Sequence, residues 1–491
     1  MILLLTSLAF GQEDEPEECT DEMRSEMLTD FMGAITEGDQ DGALNALVSA
    51  LDAEAFTPCH GVAYATMGGL LEKREMPYSA LLAHGEAIKL NAEGATEAVP
   101  RALELADTVG DPAYLEEVFA ANVGLDVDNE TRSHLAYLAA RGHYAQGNLS
   151  TALGILALVD NKGPDAGRAM ALKGVIFSQQ ERWTDSIASL LQAEALLEDP
   201  ELLDVVRLNL GRVYYAAGNY PRSAQYFAAV SRDSHWWPEA QFERAWAHFR
   251  MDDMNGALSM LQNHVSPYYT EWYFPEAEML RTYSLFLLCK FPEASNQIDD
   301  FQTKWTPVRD EAQTQIAAMN AQATFEDARA FTRGEGSELG DLLLRDVPYD
   351  TRFLDAVQAV DGAQAELDRL QGNANPWSTW AFGRLADRQK QLIQGEGGRI
   401  KAGVERRVNE LTTMLNNSDI TKLDMLRLET QLYQNAANIG KMPDLDRKAY
   451  RRERVRKGYV VWPYEGEYWA DEVGYYRVDA HAECPQGLMG G

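Results

Sequence analysis

Leu210-Gly211-Arg212-Val213-Tyr214, followed by Gly218, Tyr220, Ala224 and Phe227, is the stretch that decides the fold. It reads as a helical hairpin, and it recurs in degraded form along roughly two thirds of the chain. With Gly211 as a ruler, the copies fall at Phe31, Gly68, Leu103, Ala140, Gly174, Gly211, Ala245 and Thr282, separated by 37, 35, 37, 34, 37, 34 and 37 residues. A small residue at this place lets the first helix of a hairpin (A) approach the second (B), while large apolar residues further on fill the space between helices and repeats. The turns between A and B carry Gly38, Gly110, Gly147 and Gly218, as expected where the chain leaves helix A through a left-handed residue. A second small place follows at Ala43, Ala80, Ala152, Ser186, Ser223, Ala257 and Ala294, with Leu115 as the exception in the third and weakest copy.

These motifs resemble the tetratricopeptide repeat (TPR) family over residues 24–305, best in copies 167–200 and 204–237. The tryptophan usual near the start of the repeat is replaced by Tyr64 in the second copy and Arg207 in the sixth. The resemblance implies an all-α solenoid with a concave groove for a partner peptide or helix, and it implies no catalysis. On that geometry the candidate contacts are Arg207, Tyr214, Arg244 and His248. Pro238 and Pro275 both precede Glu-Ala and suit the first turn of a helix A. Aromatic residues precede each, including Trp236 and Trp237, then Trp272 and Tyr273. They suit inter-repeat packing, or a patch that grips a protein or a glycan ring.

Past Val308 the hairpin phase is lost, and longer helices are expected at about 308–333, 350–371, 378–415 and 419–438. Asn373–Pro376 and Asn416–Ser418 read as breaks, and Gly395, Gly397 and Gly398 as a weak point that could bend the third helix. Leu385, Leu392, Ile400, Val404, Val408, Leu411 and Leu415 make an imperfect stripe, so residues 306–445 read as a coiled-coil-like arm or bundle. Residues 446–491 hold a basic run with Arg451, Arg452, Arg454, Arg456 and Lys457, then a dense aromatic stretch expected to form a small hairpin-like cap. The basic run suits an exposed helix end, or electrostatic docking on anionic lipid or an acidic partner. The motif Trp462-Pro463-Tyr464-Glu465-Gly466-Glu467-Tyr468-Trp469 resembles the ending of delta-proteobacterial cell-envelope TPR proteins, some associated with gliding motility.

A net charge of -32 argues against nucleic acid as a partner. The ends differ in sign: residues 1–60 hold 14 acids and one base, Arg24, whereas residues 401–460 hold 13 bases and 8 acids. Residues 1–11, ending Ala9-Phe10-Gly11, read as a clipped signal peptide and 12–23 as an acidic segment, so export to the periplasm or cell envelope is expected, with the cytoplasm as the alternative. Cys19 and Cys59 flank the first hairpin and are candidates for a disulfide; Cys289 reads as a buried small hydrophobe, and Cys484 has no obvious partner.

Chemistry is sparse. The eight histidines form no spaced ligand set, His60 beside Cys59 is a poor dyad because neighbouring side chains diverge, and the acidic turns at Glu37–Gly42 and Asp126–Glu130 do not complete a calcium loop. No catalytic residue, metal site or cofactor is expected. The expectation is a non-enzymatic protein-binding scaffold of the bacterial cell envelope, with peripheral contact to membrane or cell wall and an open oligomeric state. Its rivals are a glycan- or peptidoglycan-binding protein using the aromatic segments, and an enzyme with acids Glu465, Glu467, Asp471 and Glu472 in the terminal cap.

Overall fold

The computed structural model describes residues 18–90, 94–121, 125–269, 272–439, 466–469 and 471–482. The expected signal peptide, the basic run with Arg451, Arg452, Arg454, Arg456 and Lys457, and Trp462 to Glu465 of the terminal motif lie outside them.

The fold is all-α. After α1 (Asp21–Met27) come eight helical pairs: α2 (Thr29–Glu37) with α3 (Gln40–Asp52), α4 (His60–Lys73) with α5 (Pro77–Lys89), α6 (Ala95–Val109) with α7 (Pro112–Ala121), and α8 (Asn129–Ala145) with α9 (Leu149–Leu156). The series continues with α10 (Ala166–Gln179) and α11 (Trp183–Leu196), α12 (Pro200–Ala216) and α13 (Tyr220–Ala228), α14 (Trp237–Arg250) and α15 (Met254–Leu261), then α16 (Pro275–Leu287) and α17 (Phe291–Ala318). The ruler residue falls on helix A of every pair. The seven small residues of the second place lie on helices B, and each is fully buried.

The close approach has a direct measure. A Cβ added to Gly68, Gly174 or Gly211 would stand 2.6, 2.6 and 2.5 Å from His84, Leu190 and Phe227. Each of those side chains sits sixteen positions further on, on helix B of the same hairpin. The turns obey one rule as well. Seven residues after the ruler every hairpin has a positive φ, at Gly38, Glu75, Gly110, Gly147, Glu181, Gly218, Asp252 and Cys289. Four of these are not glycine, so the hairpin geometry holds L-residues in a conformation that costs them about 1–2 kcal/mol.

Beyond the hairpins lie α18 (Ala321–Thr332), α19 (Asp341–Leu344), α20 (Thr351–Leu370) and α21 (Pro376–Ile439). Two expectations are corrected here. The helix placed at 308–333 is divided: α17 runs through Pro307 to Ala318, and α18 starts afresh with Asn320 as its N-cap, accepting from the Ala323 amide. Asn416–Ser418 does not interrupt α21, which is one 64-residue helix. Ser418 is buried, donates to the Leu415 carbonyl and accepts from Gln302, so tertiary contacts satisfy it within the helix. Gly397 lies against the Ala321 carbonyl, where a Cβ would be 1.9 Å from the oxygen.

The chain forms two compact units, Met1–Gly163 with Asp355–Leu392, and Pro164–Leu354 with Ile393–Gly491. This grouping does not follow the linear division at 305/306 and 445/446. In the first unit Glu366 of α20 accepts from the Tyr78 and Ser79 amides at 2.7 and 2.9 Å and from the Ser79 hydroxyl at 2.6 Å, capping α5 from outside. Trp377 of α21 donates from its backbone to Asn45 and from its indole to Asp41.

In the second unit Leu411 and Leu415 of α21 pack on Met279, Phe301 and Trp305, so this part of the apolar stripe is covered by the last hairpin. Most of the stretch expected to form a hairpin-like cap lies outside the described residues; the described part holds turns at 471–474 and then a segment without regular structure. Its Gly474, Val478 and Ala480 amides donate to Asn263, Ser259 and Asn255 at 2.7, 2.8 and 2.9 Å, a polar ladder at and just beyond α15.

Cys19 and Cys59 are joined by a disulfide, which ties the start of α1 to the loop before α4. Cys289 is also disulfide-bonded rather than a buried small hydrophobe. Its left-handed backbone puts it at the α16–α17 turn, out of the helix interior. Cys484 lies outside the described residues.

Candidate partner-binding groove

In the second unit the A helices α12, α14 and α16 present one face in common. Helical spacing aligns Arg212 and Tyr215 on α12, then Glu239, Phe242, Glu243 and Trp246 on α14, then Glu276, Met279 and Tyr283 on α16. Two adjoining cavities open along this face. One, of about 420 Å³, is lined by Arg212, Tyr215, Phe227, Phe242 and Glu243. The other, of about 760 Å³, lies between α14, α16 and the 402–414 segment of α21. Trp246 and Glu276 line both.

The first cavity is electrostatically closed. Arg212 Nε donates to both Glu243 oxygens at 2.9 and 3.0 Å, and its Nη2 reaches Glu239 as well. Burial raises the Glu243 carboxyl above its ordinary value against the pull of Arg212. Burial alone would lower Arg212, but its hydrogen bond to Glu243 and the charge there outweigh it and hold the guanidinium above its usual range.

The second cavity is not closed. Glu405 is engaged by Lys401 at 2.8 Å, but Glu276 and Glu410 form no ion pair among the described residues. Burial raises the Glu276 carboxyl; a hydrogen bond from Trp246 works the other way, and the Glu410 charge adds to the rise.

The residues singled out from sequence stand mostly beside this face. Tyr214 is buried and stacks on Tyr226 with ring centroids 5.4 Å apart, so it packs the hairpin instead of meeting a partner. Trp237 is likewise buried, against Tyr269 and beneath Gly474. Arg207 is turned to Glu194 and Asp204. Arg244 is half-buried, with no hydrogen-bond partner at Nε, and burial lowers its pKa. His248 Nδ1 bonds Asp253 at 2.9 Å. Tyr273 donates to the Arg407 carbonyl at 2.9 Å and meets Trp305 edge to face. Trp272 stacks on Phe274, and Trp236 packs on the Leu208–Phe227 cluster.

The signal that finds the groove is the same ruler read at other phases. Arg212, Trp246 and Tyr283 each follow a ruler residue by one, Phe242 and Met279 precede it by three, and Glu239 and Glu276 by six. Tyr214, three after its ruler, is buried, and His248 at the same phase is partly exposed and bonded to Asp253.

The sequence profile of the tetratricopeptide repeat family matches residues 137–199 and 208–262, within hairpins four to seven. No curated protein matches the chain. Among solved structures, a tetratricopeptide repeat protein from Parabacteroides merdae is 14% identical, with 57% of this chain and 93% of that one covered and a TM-score of 0.26. The TPR domain of P58(IPK) is 12% identical, with 75% and 99% covered and a TM-score of 0.18. Tetratricopeptide repeats suggest an adaptor between proteins, and none of the described residues form a cluster able to hold a metal ion.

Proposed function

We propose that the chain is a non-enzymatic scaffold of the cell envelope that holds a partner peptide or helix against the A-helix face of hairpins six to eight. The observation that carries this reading is the 760 Å³ cavity itself: Trp246 and Tyr283 offer it aromatic surface on a repeat-built wall. The disulfides at Cys19–Cys59 and Cys289 support export to an oxidising compartment. The terminal aromatic motif supports kinship with delta-proteobacterial envelope TPR proteins, including those associated with gliding motility. No described helix is long and apolar enough to cross a membrane. The aromatic segments support the glycan-binding reading less, because Trp237, Trp272 and Tyr273 are engaged in packing.

The test compares wild-type chain with W246A/Y283A in affinity capture from the envelope fraction of the native host. A protein retained by the wild type and lost by the variant is expected. Equal retention by both, or no specific protein with either, contradicts the proposal.

A further inference from the structure

We propose that the open cavity between α14, α16 and α21 receives a lysine or arginine side chain of the partner polypeptide, seated between Glu276 and Glu410 with its aliphatic stem on Trp246. The inference rests on the scaffold reading and adds the chemistry of the occupant. Its basis is an imbalance of charge. The lining holds three carboxylates, Glu276, Glu405 and Glu410, and one guanidinium, Arg406.

Glu405 is neutralised by Lys401, and Arg406 forms no ion pair with Glu276 or Glu410. Next door the same wall shows what a satisfied arrangement looks like, with Arg212 paired to Glu239 and Glu243. Glu276 repeats the place of Glu239 one hairpin later, six residues before the ruler. The residue that would neutralise it, one after the ruler in the preceding hairpin, is Arg212 in the first case and Trp246 in the second. A tryptophan thus stands where the repeat elsewhere supplies the cation. An incoming cation restores the pairing and meets an aromatic face suited to it. Met414 extends the cavity with flexible apolar surface for the neighbouring partner residue.

The experiment is fluorescence anisotropy on the full chain with three labelled nonapeptides that alternate leucine with lysine, glutamine or glutamate. The lysine peptide is expected to bind, to lose tenfold or more in affinity with E276Q/E410Q, and to be unaffected by D30N/E37Q, which removes the same charge from the first hairpin. Equal effects of the two double variants, or equal binding of the glutamine peptide, would overturn the basic occupant. If such binding is still lost in W246A, the scaffold reading stands without it. Absence of any binding that W246A weakens removes both.

Discussion

Arg388 holds Asp111 through two parallel hydrogen bonds, Nε to Oδ2 and Nη2 to Oδ1, each 2.8 Å long, with the two side chains 5% and 1% exposed. The Tyr78 hydroxyl donates to the same carboxylate at 2.7 Å, and burial pushes that phenol far above its ordinary range. This contact joins α21 to the turn that opens α7. Removing the guanidinium would leave a carboxylate buried without a counter-charge, which typically costs about 3–5 kcal/mol. R388A should therefore lower the protection of α5 and α7 amides by that amount in hydrogen exchange, and R388K, unable to form the paired geometry, should fall between it and wild type.

Glu366 gives a pH signature. Burial raises its carboxyl above the ordinary value, with the Ser79 and Tyr78 hydrogen bonds opposing. Because the folded value exceeds the unfolded one, the group's contribution is fully present below about pH 4.5 and declines as pH climbs through the folded value. E366A should cost about 1–3 kcal/mol through the lost cap of α5. It should also flatten this part of the stability curve in denaturation measured from pH 4 upward; an unchanged slope would contradict the assignment.

The hairpin rule can be tested at single atoms. G211A places a methyl 2.5 Å from the Phe227 ring and should destabilise by about 1–3 kcal/mol, whereas G69A, with nothing within 4 Å, should stabilise by up to about 1 kcal/mol through helix propensity. At the turns, E181G should gain up to about 1 kcal/mol by relieving a φ of 58°, and G218A should lose about 1–2 kcal/mol at a φ of 78° with no steric clash to confuse the result. Chemical denaturation of the four variants reads both effects.

The terminal segment depends on side chains for its backbone hydrogen bonds. Asn263 is buried and holds the Gly474 amide, while Gly474 has a positive φ and lies against the Trp237 ring. N263A and G474A should each speed amide exchange across residues 474–480 by tenfold or more while leaving α1–α9 unchanged.

The hairpins were legible because each is a local unit: the spacing of small residues fixes how closely A meets B, and that spacing survives in the sequence even where Glu75, Glu181, Asp252 and Cys289 replace the turn glycine. The groove was hidden by phase. Tyr214 looks like a binding residue by type, but three positions past the ruler it is buried in the repeat, while Trp246 and Glu276 at other phases face the cavity. The long helix was hidden by tertiary contact. Asn416–Ser418 carries breaking propensity, but burial of Ser418 with its hydrogen bonds to Leu415 and Gln302 favours continuation of the helix. Cys289 was misread because the apolar run Leu287-Leu288 before it reads as helix interior, whereas its positive φ places it at the turn.

Binding of another protein to the A-helix face of hairpins six to eight, as proposed, can be read in the cell. The most direct measurement is in-cell photocrosslinking in the native host, with a benzophenone amino acid placed singly at 246, 276 or 283 and, as controls, at exposed Leu158 and Met32. One discrete adduct of the same mass from all three groove positions, absent from both controls, is the predicted result. Adducts from the controls alone, or none from the groove, would contradict it.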